Sequence, residues 1–559
     1  MYPLHGISSQ CGPPAPTDSD GSDVKESYRS ANVQPAEGWD AHVWESSGFH
    51  LIIADLDTRR QQLIEEIMAK SRDTVFNNMP IRLLMFDQDG KGIKLVERSE
   101  LMECISSAVN SVTNLEDPYE HPFANYAILS HTWLPSGEVT YSEWKTHTAL
   151  LDTQSPGYNK LAKFCEEAAR RGLRLGWMDT VCINKESSSE LDESIRSMFK
   201  WYRGAEVCIA FLAETTSRDD MENDKWFTRG WTLQELIAPR YIKFFSKNWE
   251  ALSDSPTYIS RLSDKLKNSP LMSQICNATG LVKEEVFDST FFINVPIWRK
   301  MQWAANRKVT REEDTAYSLM GLFDVSMPTG YGEGADYAFY RLIREILSSK
   351  ITFGSTSKLE IANWSFGHAN RDSYDFYSGV SSSALIPSSP RAYTHSNRNV
   401  AFYSPSPLSL PITLSHMGLC VPVLLMPFSI VEKSTDNTPL PKGNYSATFG
   451  IGDDTYRVLD GALFSSEESC NNVSAFAVLN IVEKPTEVLL PENGLCFAIK
   501  LQPQTKLEGW EIPEDLVLKA GQFDGHRFTF DIVCHNNSSL RIPKDELNHH
   551  GMTFRTMYL

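Results

Sequence analysis

The chain has 559 residues, 41% hydrophobic and 22% charged, with a formal net charge of -18. This is soluble, globular composition with length for several domains. The acidic balance argues against broad contact with a phosphate backbone, so no nucleic-acid partner is expected. No apolar run of about 18 residues occurs, and residues 1–20 lack a basic segment followed by an apolar one; neither a membrane span nor a secretory leader is expected, and a cytoplasmic location is the expectation. The ten cysteines are scattered and include no C-x-x-C pair. Reduced thiols are therefore predicted, with no disulfide frame and no metal site.

Residues 1–36 are rich in Ser, Pro, Gly and Asp and read as a disordered tail. Residues 37–78 read as a lead-in, with a helical pattern over 51–70 carried by Leu56, Leu63, Ile64 and Ile67. From residue 79 to 255, apolar strand patterns at 81–86, 126–130, 173–179, 206–212 and 241–245 alternate with helical patterns at 160–171, 189–202 and 232–237. Gly172 is a predicted C-cap, and Pro239 stops the last of these helices. The alternation predicts βαβ units, hence an α/β fold with a mostly parallel sheet flanked by helices. Residues 256–349 read as a helical extension, including 297–306 and 313–323. Residues 350–559 break into short alternating runs, such as those starting at Phe476 and Arg527, and predict a β-rich C-terminal domain of unassigned role.

In an open α/β sheet, ligands sit beyond the carboxyl ends of the strands. That directs attention to Ser130–Trp133, to the loop after Asp179 and to the loop after Leu212. Ser130, His131 and Trp133 offer hydrogen bonds to a ribose or diphosphate and an aromatic face; the alternative is a turn that caps the strand and buries Trp133. Asp179 suits a ribose hydroxyl, or simply caps the next turn. Arg229 suits a diphosphate, or forms a surface ion pair. Trp201 and Tyr202 fall on an amphipathic stripe and read as core. Ser130 beside His131 does not make a hydrolase, because adjacent strand residues face opposite ways and no G-x-S-x-G turn exists. Tyr331-Gly-Glu-Gly lacks the features of a nucleotide phosphate loop, so no dehydrogenase-type cofactor site is expected.

Five segments in order carry a family resemblance: Tyr126-Ala-Ile-Leu-Ser-His-Thr-Trp133, Gly176-Trp-Met-Asp-Thr-Val-Cys-Ile-Asn-Lys185, Ser194-Ile-Arg-Ser-Met-Phe-Lys-Trp-Tyr202, Arg229-Gly-Trp-Thr-Leu-Gln-Glu-Leu-Ile-Ala-Pro239, and Arg311-Glu-Glu-Asp-Thr-Ala-Tyr-Ser-Leu-Met-Gly-Leu-Phe323 with the Tyr331-Gly-Glu-Gly that follows. Together they resemble the heterokaryon incompatibility (HET) domain of fungal self/non-self recognition proteins, over roughly residues 80–350. The resemblance implies a role in programmed cell death of the innate-immunity kind and a core related to Toll/interleukin-receptor (TIR) domains, some of which hydrolyse NAD. It also implies self-association or a protein trigger. Enzymatic TIR domains carry a glutamate in a W-C-x-x-E-L helix motif; Trp231-Thr-Leu-Gln-Glu235-Leu236 is similar, with Thr232 in place of the cysteine. By this carry-over Glu235 is the candidate catalytic carboxylate, Trp231 a neighbouring contact, and NAD a substrate rather than a cofactor. The plainer reading of Glu235 is a helix-surface glutamate, or one paired with Arg229 or Arg240. The competing function is a non-enzymatic TIR-like signalling and association module.

Overall fold

A computed structural model describes residues 59–111, 125–147, 153–253, 263–287, 295–349 and 387–394, and chiefly the strands between 413 and 558. The expected tail (1–36), the first part of the lead-in helix (51–58) and residues 350–386 lie outside the described residues. The chain divides into two units, 1–63 and 64–559; in the first, residues 59–63 are helical. All that follows concerns the second.

Its central sheet has six strands: β1 (Arg82–Met85), β2 (Lys94–Glu97), β3 (Ala127–His131), β4 (Leu175–Trp177), β5 (Val207–Phe211) and β6 (Ile242–Phe245), in the order β2-β1-β4-β3-β5-β6. The fold is mixed α/β and its sheet mostly parallel: β3 pairs in parallel with β4 and β5, and β5 with β6. At the β4 edge, β1 pairs antiparallel with β4 and β2 antiparallel with β1. The β2 strand, and the helix α1 (Arg98–Ser111) after it, carry no clear sequence pattern and were not among the expected elements. Every residue of β3, β5 and β6 is buried; β5 and most of β3 accordingly read as apolar runs rather than alternating ones, whereas β6 buries Lys243, which pairs with Asp264 at 2.9 Å.

The remaining helices of the α/β part are α2 (Tyr141–His147), α3 (Pro156–Ala169), α4 (Asp179–Cys182), α5 (Ser188–Gly204) and α6 (Thr232–Ile237). α3 begins earlier than its apolar pattern suggests, because Ser155 caps it by accepting from Tyr158 N and Pro156 sits in its first turn. After α3, Gly172 takes the left-handed conformation (φ +77) that a helix C-terminus needs. The predicted strand 173–179 is shorter than expected: Asp179 is the first residue of α4, not the end of β4. α5 buries Ile195, Met198, Phe199, Trp201 and Tyr202 on one face. α6 is buried along its whole length, and its last carbonyls, Leu236 O and Ile237 O, accept from Lys265 Nζ at 3.2 Å each.

From β3 the chain moves to β4 on one side, then crosses back over β3 to β5 on the other. The loops after β3 and β5 therefore diverge, and the sheet has its topological switch point between them.

The helical extension comprises α7 (Met272–Thr279), α8 (Lys283–Phe287), α9 (Ile297–Ala304), α10 (Asp314–Tyr317) and α11 (Ala335–Ser348). The single helix expected over 313–323 is broken into α10 and a 3-10 turn, Met320–Phe323, closed by Asp324 at φ 49. The extension is fastened to the sheet by backbone bonds, Lys308 N to Thr228 O at 2.7 Å and Gly230 N to Lys308 O at 2.8 Å. Thr329 N adds a bond to Asp192 Oδ1 at 2.7 Å. Farther on, described strands pair antiparallel, among them Gly418–Pro427 with Ala475–Val478 and Leu495–Leu501 with Arg527–Cys534. Among the described residues no helix is long and apolar enough to cross a membrane.

Candidate functional site

Ser130 and His131 end β3 at the switch point and, as neighbours on a strand, serve two different clusters. Ser130 is fully buried, and its hydroxyl donates to Glu235 Oε2 at 2.5 Å while accepting from Trp226 Nε1 at 2.7 Å. Trp226 is seated by Asp224, whose carboxylate accepts from Trp226 N, Glu214 N and Thr215 Oγ1, each at 2.9 Å. Its ring packs edge-on against Phe244 of β6, with centroids 5.4 Å apart. The Tyr202 hydroxyl donates to Leu129 O at 2.9 Å and also faces Glu235.

Glu235 is thus a buried carboxyl, 6% exposed, and not the helix-surface residue of the plainer reading. Among the described residues no cation is hydrogen-bonded to it: Arg240 is exposed, while Arg229 and Arg307 lie close enough to act on it through charge alone. Burial pushes the Glu235 carboxyl up to about 8, against the Ser130 hydrogen bond that favours its ionised form, and the Asp179 charge pushes the same way as burial.

The second cluster gathers on Asp179. His131 Nε2 meets Asp179 Oδ1 at 2.8 Å, Trp133 Nε1 donates to Oδ2 at 2.9 Å, and Lys185 Nζ lies 3.4 Å from Oδ2. Burial opposes ionisation of Asp179, but Lys185, His131 and Trp133 outweigh it and hold the carboxyl well below the usual carboxylate range. Asp179 is therefore an anionic hub, and its side chain is not spent capping its own turn. Burial, then the Lys160 charge, lower the His131 pKa against the pull of Asp179; among the described residues its Nδ1 has no partner. Trp133 is 49% exposed, with the Lys185 ammonium 3.6 Å from its ring centroid, so the alternative in which the turn buries this indole does not hold. The buried Lys160 ion-pairs with Glu138, and Glu138 also accepts from Leu134 N at 2.7 Å, which ties the Ser130–Trp133 loop to α3.

Two expected residues stand apart from these clusters. Trp231 is half-buried and hydrogen-bonds Asp314 of the extension, so it braces α6 from outside. Arg229 is half-buried; its carbonyl accepts from Arg307 Nη1 at 2.8 Å and from Thr232 Oγ1 at 3.0 Å. Thr232, where the related motif has cysteine, also bonds Trp226 O and so locks α6 to the Trp226 turn. A shallow depression lined by Phe86, Asp87, Gln88, Asp89 and Arg174 lies at the opposite end of the sheet, where β1 ends beside the start of β4. Burial raises the thiols of Cys165, Cys182 and Cys208, so none of the three is a ready nucleophile.

Residues 126–222 match the family model described as heterokaryon incompatibility protein (HET). This segment is similar to a HET domain. The chain is similar to the vegetative incompatibility protein HET-E-1 of Podospora anserina, with 41% identity over 233 residues, which is 40% of this chain and 16% of that protein. This chain therefore matches only a small part of its relative's length. No solved structure matches. Ser130, His131, Trp133, Asp179 and Tyr202 lie inside the matched HET segment, whereas Trp226, Arg229, Glu235 and Arg307 lie beyond it. Sequence reasoning missed Trp226, Asp224, Lys160 and Arg307, and took Tyr202 for core alone. One signal was present: Lys160 interrupts the apolar face that Leu161 and Phe164 share, which marks a buried, paired lysine.

Proposed function

We propose that the protein is an effector of heterokaryon (vegetative) incompatibility that kills the cell by hydrolysing NAD at the nicotinamide–ribose bond, with Glu235 as the catalytic carboxylate in a TIR-like core spanning residues 79–255. The observation that carries this reading is a buried carboxyl at the switch point of a mostly parallel sheet, held by Ser130 and Tyr202 and, among the described residues, not neutralised by a hydrogen-bonded cation. In the reaction the bond from ribose C1′ to the pyridinium nitrogen breaks and its electron pair leaves with nicotinamide, which departs neutral and needs no general acid. The ribose gains oxocarbenium character, which ionised Glu235 stabilises. Water adds to C1′ and loses a proton, giving ADP-ribose. The positive charge of the incoming pyridinium favours the ionised form of Glu235, so substrate binding itself readies the carboxylate. Asp179 supplies an acceptor for a ribose hydroxyl and Trp133 an exposed aromatic face. The reading includes a cytoplasmic location, self-association or a protein trigger, and a β-rich domain from residue 350.

A second reading, a TIR-like association module without activity, is favoured by the enclosure of Glu235 and by the depression at the far end of the sheet. The deciding measurement is nicotinamide release from NAD by the full chain at high protein concentration. Wild type is expected to turn over, and Glu235→Gln to lose about 100-fold or more, as when a transition-state contact is removed. No release by folded, assembled wild type would leave the association module as the function.

A further inference from the structure

We propose that Arg307, contributed by the helical extension, is a ligand-binding residue of the Glu235 site and takes the diphosphate of a dinucleotide there. The identity of the ligand rests on the NAD reading above; the placement of the guanidinium does not. Arg307 follows α9, and three bonds to protein oxygens fix its fork: Nε to Trp303 O at 3.3 Å, Nη1 to Arg229 O at 2.8 Å and Nη1 to Thr232 Oγ1 at 3.1 Å. The remaining nitrogen, Nη2, is enclosed by protein yet meets no acceptor among the described residues. Buried donors are nearly always satisfied, so an enclosed pair of N–H groups on an immobilised fork marks a place where oxygen is brought in from outside the chain.

Charge points the same way. In a protein of net charge -18, neither Arg229 nor Arg307 forms an ion pair with a carboxylate among the described residues, although both act on Glu235 through charge. Arg229 and Arg307 both act through charge on a carboxyl that burial favours in its neutral form, with the Asp179 carboxylate as the opposing charge. A rigid, cationic, planar donor suits the paired oxygens of phosphate or carboxylate, and a dinucleotide brings the former. The extension thus completes the site as well as bracing it, and the ligand bridges a carboxylate on α6 and a cation beyond α9.

The test uses the full chain and two readouts. The first is binding of ADP-ribose by calorimetry to wild type, Arg307→Gln and Arg307→Lys, which needs no turnover. The expected result is a loss of about tenfold or more in Arg307→Gln and a smaller loss in Arg307→Lys. The second compares KM for NAD with KM for nicotinamide riboside, which lacks phosphate. Arg307→Gln is expected to raise the first and leave the second, whereas a residue that only braces α6 would impair both alike. Inorganic pyrophosphate is expected to raise the melting temperature of wild type, an arm that stands if the variants fail to fold. Undiminished ADP-ribose binding by folded Arg307→Gln, an equal loss for both substrates, or no effect of ADP-ribose and pyrophosphate on wild type would each overturn the proposal. If ADP-ribose binds through Arg307 but no nicotinamide is released, the enzyme reading falls and this one stands. If turnover depends on Glu235 but is indifferent to Arg307, the reverse holds.

Discussion

At the scale of single residues, the proposed role of Glu235 is coupled to pH in two measurable ways. The carboxylate role needs the ionised form, and the free protein holds Glu235 protonated up to about pH 8. The rate constant kcat/KM for nicotinamide release is therefore expected to fall roughly tenfold per pH unit below about 8, since that parameter reports the free enzyme. The second effect is on stability. The folded pKa lies above the ordinary glutamate value of 4.5, so the folded state holds a proton that the unfolded state releases, and this contribution is lost as pH rises through about 8. The shift corresponds to a few kcal/mol in order of magnitude. His131 and Lys300, both lowered by burial, push stability the other way over parts of this range, so the informative quantity is a difference. Glu235→Gln, an isostere with no titration, should match wild type in melting temperature near pH 5 and exceed it increasingly towards pH 9. A constant gap across that range would mean that Glu235 is ionised in the folded protein. The pairing of Ser130 with Glu235 was within reach of the sequence, because strand ends and the helix motif each point to one partner. Arg307 was not, being 75 positions from Thr232 and joined to it only by packing.

At the scale of elements, the junction between α5 and the 3-10 turn Met320–Phe323 shows what pattern reading leaves out. The apolar spacing over 313–323 is good helix, and the sequence reading took it as one. The chain instead breaks so that Gly321 can lie flat against Phe199: a Cβ on Gly321 would sit 2.1 Å from Phe199 Cβ. Periodicity sees which residues are apolar but not how closely two backbones approach, and here the approach decides. Gly321→Ala is accordingly expected to destabilise by about 1–3 kcal/mol, the usual cost of overpacking, read from urea unfolding. Phe199→Gly in the same chain, which removes the Cβ that is met first, should recover part of that cost, a coupling that separate single variants would not show. Additive losses would place the strain elsewhere. The strands were more legible than this junction. β3, β5 and β6 are buried on both faces, which β5 and the first part of β3 show as apolar runs and β6 shows apart from its ion-paired Lys243. β2 and α1, whose apolar patterns are weak, were not legible.

At the scale of the whole molecule, the helix that carries Glu235 is clamped from several sides. Lys265 holds its last carbonyls, Trp231 bonds Asp314, Arg307 holds its first turn, and the backbone at Thr228 and Gly230 is stitched to Lys308. Any rearrangement of the extension is therefore felt at the carboxyl, and uncovering an enclosed Glu235 requires such a rearrangement. On the proposed reading, association between copies supplies the needed free energy, against the repulsion that a chain of net charge -18 exerts on its own kind over a Debye length of about 10 Å at 0.1 M salt. Two dependences follow together. Nicotinamide release per mole of protein should rise with protein concentration, and at a fixed concentration it should rise as salt is increased from low to moderate levels, tracking the assembled fraction measured by light scattering. A specific activity independent of both, in a sample that scatters as a monomer, would show that the clamp opens without a second copy and would move the trigger from self-association to a different partner or to the substrate itself.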